Sequence, residues 1–198
     1  SPFTTLANDA VVGNGTPASC TESAFESALS TVQSTGGGTI TFNCGGNATI
    51  IFSAYKQITS NVVVNGGGNI TIDGNSLTSF FQVSNGQSLR LENITLRRGR
   101  FNGVHPLENF GSLTLENATF SQTIADGSPI QNTGTLTIID STLSDNGLTG
   151  ASETSGGVIQ NEGGTVTVRN STFNNNIING NLGTGGAIAI PSGTLTVV

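Results

Sequence analysis

One recurring phrase limits what this chain can fold into. It stands as SLRLENITL at 88–96, SLTLENATF at 112–120, TLTIIDSTL at 135–143 and TVTVRNSTF at 165–173, and starts again as TLTVV at 194–198. Its first aliphatic falls at Leu89, Leu113, Leu136, Val166 and Leu195, in steps of 24, 23, 30 and 29 residues. A second phrase precedes the first: FQVSNG, PLENFG, PIQNTG, VIQNEG and AIAIPSG. Its aliphatics, read as Val83, Leu107, Ile130, Ile159 and Ile188, advance by 24, 23, 29 and 29. Two columns that keep step through changes of spacing behave like stacked coils of one solenoid.

Period-two alternation assigns the faces. In TLTIIDSTL, Leu136 and Ile138 point inward and Thr135 and Thr137 outward; Ser141 and Leu143 then point inward, so the chain turns a corner near Asp140. With the Ile130 strand as a further wall, the reading is an all-β, right-handed parallel β-helix with three short strands per coil. Two asparagine columns accompany the aliphatic ones. One runs Asn85, Asn109, Asn132 and Asn161, expected to stack at one corner with side chains inward; the other runs Asn93, Asn117, Asp140 and Asn170. Stacked amides can bond along a column and satisfy turn backbone. Asn14, Asn47, Asn69, Asn93, Asn117 and Asn170 also fit the glycosylation sequon.

Only 9% of the residues are charged, and the net charge is -6. Lys56 is the only lysine, so no basic face exists to neutralise nucleic-acid phosphates. No apolar run reaches the length of a membrane-spanning helix. Cys20 and Cys44, with the single His105, lack the spacing of a metal set, and no cofactor is expected. The two cysteines read as a disulfide in a secreted, extracellular or surface-associated protein, with buried free thiols as the alternative.

Residues 1–38 read as an N-terminal segment with a capping helix, and 39–198 as the coils. Ser19 with Glu22 suggests a capping box. Ala24, Phe25, Ala28, Leu29 and Val32 share a helical face, and Gly36-Gly37-Gly38 ends the helix. Such a helix covers the open end of a solenoid. At the other end the chain stops inside a strand phrase with Leu195, Val197 and Val198. The expectation is that this edge continues or is covered, by more of the chain or by another copy in a fibre.

With GGAI at Gly185–Ile188, GGVI at Gly156–Ile159, FNNN at Phe173–Asn176 and LSDN at Leu143–Asn146, the chain resembles the parallel β-helix repeats of bacterial secreted and surface proteins. The chlamydial polymorphic outer-membrane proteins are among them. The resemblance implies a surface location and a β-helical scaffold, within the broader pectate-lyase-like fold.

Three functions compete at this stage. The leading expectation is a structural or adhesive scaffold without catalysis. A polysaccharide lyase or hydrolase would need several convergent carboxylates or cations. The candidates are Glu92 with Glu116, and the patch Arg97, Arg98, Arg100 and His105, which could grip an acidic polysaccharide or supply a base. Asp73, Asp126 and Asp145 do not repeat at matching positions. The outward pairs Thr135/Thr137, Thr165/Thr167 and Thr194/Thr196 raise ice binding, though threonine is also simply a good exposed strand residue. The insertions 144–157 and 174–186 leave the same edge and offer a binding surface.

Overall fold

Residues that alternate across a strand become columns once strands stack in parallel. The computed structural model describes residues 9–148, 157–178 and 187–198. It is an all-β parallel β-helix with one α-helix at its N-terminal end. A first wall is built from Gly37–Phe42, 61–65, 88–92, Ser112–Glu116, Thr135–Ile139, 165–169 and 194–197. A second wall holds Ala48–Ile51, 70–73, 94–97, Thr119–Ser121, Thr142–Ser144 and Thr172–Asn174. A third holds Lys56–Ile58, Phe81–Val83, Leu107–Asn109, Ile130–Asn132 and 159–161, with 188–189 above them. The upper coils add a strand beyond the three expected: Ile124–Ala125, Gly147–Leu148 and Ile177–Ile178 pair in a small sheet of their own. Most of the two insertions, with Gly156 and Gly185, lies outside the described residues.

The first-wall column is as expected. Val62, Leu89, Leu113, Leu136 and Val166 stack in register, none more than 1% exposed. The third-wall column needs a correction. Leu107 pairs with Phe81, not Val83, and Val83 lies beneath Asn109. Asn85 is therefore exposed and outside the ladder. The corner between Phe81–Val83 and Ser88 is two residues longer than the corner that follows Leu107–Asn109. A two-residue slip leaves every face unchanged, so alternation alone does not reveal it.

The ladder proper is Asn109, Asn132 and Asn161, all fully buried. The amide nitrogen of Asn109 donates to Asn132 Oδ1 at 2.6 Å, and that of Asn132 donates to Asn161 Oδ1 at 2.6 Å. Each also donates to corner carbonyls: Asn109 to Thr135, Asn132 to Gly134, and Asn161 to Gly164 and Ser192. Glycine completes this corner for a steric reason. A Cβ on Gly134 would stand 2.1 Å from the Gly111 carbonyl oxygen.

The second column lies at a different kind of corner. Asn93, Asn117, Asp140 and Asn170 all have positive φ, between 46° and 51°. A single left-handed residue bends the chain from the first wall to the second, and Asn and Asp tolerate that conformation best among residues with a side chain. Asn117 donates to Asn93 Oδ1 at 2.7 Å, and Asn93 to Asn65 Oδ1 at 3.1 Å, so Asn65 extends this column downward. Arg98, Gln122, Asp145 and Asn175 form another left-handed corner after the second wall. Just beyond it, Asn146 and Asn176 turn inward, and Asn146 donates to Asn176 Oδ1 and to the Phe120 carbonyl.

The cap helix runs Glu22–Ser34 and buries Phe25, Ala28, Leu29 and Val32. Thr21, not Ser19, is its N-cap, accepting from the Ala24 amide at 3.2 Å. Ser19 instead donates to the Thr16 carbonyl, and Glu22 reaches away to the coil. Gly36, at φ +88°, supplies the reversal after the helix, while Gly37 already begins the first strand. Ala10–Val12 pairs beside that strand, so the N-terminal segment joins the sheet. Cys20 and Cys44 are bonded, with Cys20 immediately before the helix rather than on it. Closing a loop of this length removes roughly 3–4 kcal/mol of unfolded-chain entropy.

Lys56 is the unforeseen part of the cap. It occupies an inward position in register with Phe81, yet carries a charge. Its ammonium meets Glu22 at 2.6 Å and Glu26 at 2.7 Å, and lies 4.7 Å from the centre of the Phe52 ring. One face of the helix is thus tied ionically to the third wall while Phe25 packs against Phe52 and Phe81.

Two outcomes follow. Asn132→Leu should lower stability by about 1–3 kcal/mol, because it strands amides above and below, whereas Asn85→Leu should be nearly neutral; thermal or urea unfolding of the two variants separates them. Lys56→Met should cost about 2 kcal/mol, less than a fully buried pair would because Glu26 is half exposed. Amide exchange should then accelerate first in residues 22–34.

Candidate functional site

The basic loop was the leading chemical candidate, and its arginines have a structural task. Asp73 ends the second-wall strand and is fully buried. Arg97 Nε meets its carboxylate at 2.9 Å and Arg98 at 2.6 Å, while the Asn75 amide donates to Oδ1 at 2.8 Å. Burial pushes the Asp73 carboxyl up, but hydrogen bonds from Arg98, the Asn75 amide and Arg97 outweigh it and hold the pKa below the ordinary value. Arg98 is raised in turn by Asp73. Arg100 is exposed, and its backbone is bridged to Ile124. His105 takes a different partner: its Nδ1 lies 2.7 Å from the Ser128 carbonyl, and its ring meets Phe101 edge-on. The two arginines converge on Asp73, and His105 is engaged elsewhere.

The acid pair is also accounted for. Glu92 and Glu116 are neighbours on the first wall, as expected, and Arg90 bridges them, pairing with both. Four of the six cationic side chains, Lys56, Arg90, Arg97 and Arg98, thus sit in internal ion pairs. Among the described residues no group of three or more His, Cys, Asp or Glu is arranged to hold a metal. Among the described residues no helix is long and apolar enough to cross a membrane.

The outer face of the first wall carries the threonine array in register. Thr135, Thr165 and Thr194 form one file and Thr137, Thr167 and Thr196 the next, with Thr114 continuing the second file before Arg90 interrupts it. At the upper edge Leu195 is 38% exposed, Val197 68% and Val198 74%. Their partners in the strand below, Val166 and Val168, are at most 4% exposed. Among the described residues the core columns therefore end in an exposed apolar edge.

Sequence reasoning missed the outer face of the third wall. Gln57, Gln82, Glu108, Gln131 and Gln160 stand in one file over five coils. Gln82 donates to Glu108, and Gln160 donates to Glu162 at 2.6 Å. Beside the lower file runs an open groove of about 540 Å³, lined by Gln57, Gln82, Ser84, Asn85, Phe110 and Thr133. The sequence held the signal, because the residue after each of Phe81, Leu107, Ile130 and Ile159 is Gln or Glu, at 82, 108, 131 and 160.

The lowered carboxyls make stability depend on pH. Glu22 behaves as Asp73 does: burial raises it, and bonds from Lys56 and Ser53 more than reverse that. A carboxyl whose folded pKa is depressed stabilises the fold above its unfolded pKa, and loses that contribution as pH falls through the folded value. The melting temperature should therefore drop over about pH 5 to 2. Asp73→Asn should be less stable at neutral pH and show a shallower acid limb, read by calorimetry across that range.

No protein-family model, no curated protein and no solved structure matches the chain.

Proposed function

We propose that the chain is an extracellular adhesive scaffold, a rigid solenoid that presents polar walls for attachment and carries out no catalysis. The observation that carries this reading is the deployment of charge. The arginines and acids that could have formed a catalytic cluster are bound to one another, in the Asp73, Arg90 and Lys56 ion pairs. Most of what remains on the outside of the coils is neutral: threonine files on the first wall and glutamine on the third. Such walls bind by hydrogen bonding over area rather than by focused electrostatics. The Cys20–Cys44 bond fits an oxidising location.

End-to-end contact is a second element of the reading, favoured by the exposed apolar edge at Leu195, Val197 and Val198. An open parallel edge is a template for a further strand. A further coil, from the same polypeptide or from another copy, would cover these side chains.

Beads coated with the chain should stay attached to extracellular matrix or cell-wall material under flow, against albumin-coated controls. Soluble polysaccharides incubated with the chain should yield no new reducing ends and no unsaturated products. Beads that wash off with the controls, or product that accumulates with time, would overturn the adhesive reading. Sedimentation of the chain and of Val197→Lys at high concentration tests the edge: association should appear in the first and vanish in the second.

A further inference from the structure

We infer that the groove on the third wall is a binding site for a neutral polysaccharide strand. This rests on the adhesive reading and names its ligand class. The site is assembled by stacking: Gln57 and Gln82 lie one above the other on the flat wall, Ser84 and Asn85 form the adjoining corner, and Phe110 and Thr133 stand at that corner in the next two coils. The Phe110 amide donates to the Val83 carbonyl, which fixes the ring's root directly above Ser84. From Gln57 to Thr133 the groove spans three coil steps, roughly 14 Å.

The lining matches a sugar chain feature by feature. A hexose offers hydroxyls that both donate and accept, and a ring face of C–H bonds. Gln57, Gln82 and Asn85 each present an amide with two donors and an acceptor, and Ser84 and Thr133 present hydroxyls. Gln82 donates one N–H to Glu108, which ties its amide to the wall. Phe110 is 40% exposed at a corner position where the neighbouring coils carry only Ser84 and Thr133, so packing does not require a ring there. An aromatic face beside planar amides is a stacking surface for the C–H face of a sugar.

Charge selects the ligand further. Among the described residues no cation lines the groove, Lys56, the only lysine, is turned into the tube, and Glu108 stands next in the file. An acidic polysaccharide would meet repulsion and no counter-charge, whereas a neutral one loses nothing. The groove is also bounded. Up the file the outward residue passes from exposed at Gln57 to buried at Gln160, where Ser128 donates to its amide oxygen. Gln57, in the lowest coil, is the most accessible amide of the file; Gln82 and Gln131 are half-buried, and Gln131 is turned to Glu162.

Affinity electrophoresis tests this with the whole chain. Gels are cast with hydroxyethylcellulose, galactomannan, a mixed-linkage glucan or glycogen, and with polygalacturonate as the acidic comparison. The chain should be retarded in at least one neutral gel, and the retardation should survive high salt, which screens only charge. Phe110→Ala should weaken it by about tenfold or more, as loss of a central aromatic does. Gln82→Ala should weaken it less, and Phe110→Tyr and Arg100→Ala should leave it intact. If Phe110→Ala fails to fold by circular dichroism, Gln82→Ala and Phe110→Tyr carry the test. Retardation by polygalacturonate alone, full binding by Phe110→Ala or by both glutamine and phenylalanine variants, or no retardation in any neutral gel would overturn the site. Beads that still adhere in that last case would leave the adhesive reading standing and the glycan site refuted.

Discussion

A side chain that points into this tube meets chiefly the residue at the same position one coil above and one coil below. That constraint governs the rest. Aliphatic positions become continuous apolar columns and supply the hydrophobic term. Polar positions inside must find their partners in the same column, because water is excluded there. Asparagine solves this with one amide that is donor and acceptor at once, and Asn109, Asn132 and Asn161 show the solution with no exposed surface at all. Each also bonds its own corner, Asn109 by accepting from the Gly111 amide and Asn132 and Asn161 by donating to the Gly134 and Gly164 carbonyls, so the turn and the stack are stabilised by the same group.

The same constraint explains the ends and the corners. At the bottom, the inward file of the third wall begins, among the described residues, with Lys56, whose charge is matched by a helix that arrives from elsewhere in sequence. At the left-handed corners, the side chain points outward, and an unpaired place in the column is harmless because solvent serves it. That is why Asp140 can stand in a file of asparagines.

The sequence made the columns legible where a repeat was long enough to align. The first-wall file, the Asn109 ladder, the cap helix and the cysteine pair could all be read from it. Asn85 was misassigned because two added corner residues preserve every inward and outward face. Lys56 and Asp73 were not legible as a clamp and an anchor. Neither belongs to a repeating column: Lys56 finds its partners on the helix, and Asp73 finds its own at the end of the strand one coil above. The Arg97, Arg98, Arg100 and His105 cluster is contiguous in sequence but divided in space by Asp73 and the Ser128 carbonyl. The glutamine file repeated plainly, yet an outward polar residue in a strand is so ordinary that repetition alone gave it no chemical meaning.

The amide ladders are directional. In the buried one, every nitrogen points toward the next coil in the chain, from Asn109 to Asn132 to Asn161; in the corner one, Asn117 gives to Asn93 and Asn93 to Asn65, the reverse sense. A coil inserted into either series finds an acceptor waiting on one side and a donor on the other. Removing a coil rejoins the same two complementary groups. Duplication or loss of whole coils therefore leaves no amide orphaned, whereas a change of half a coil breaks both series together. The molecule is thus quantised in length, and genetic drift in such a gene is tolerated most readily in units of one turn.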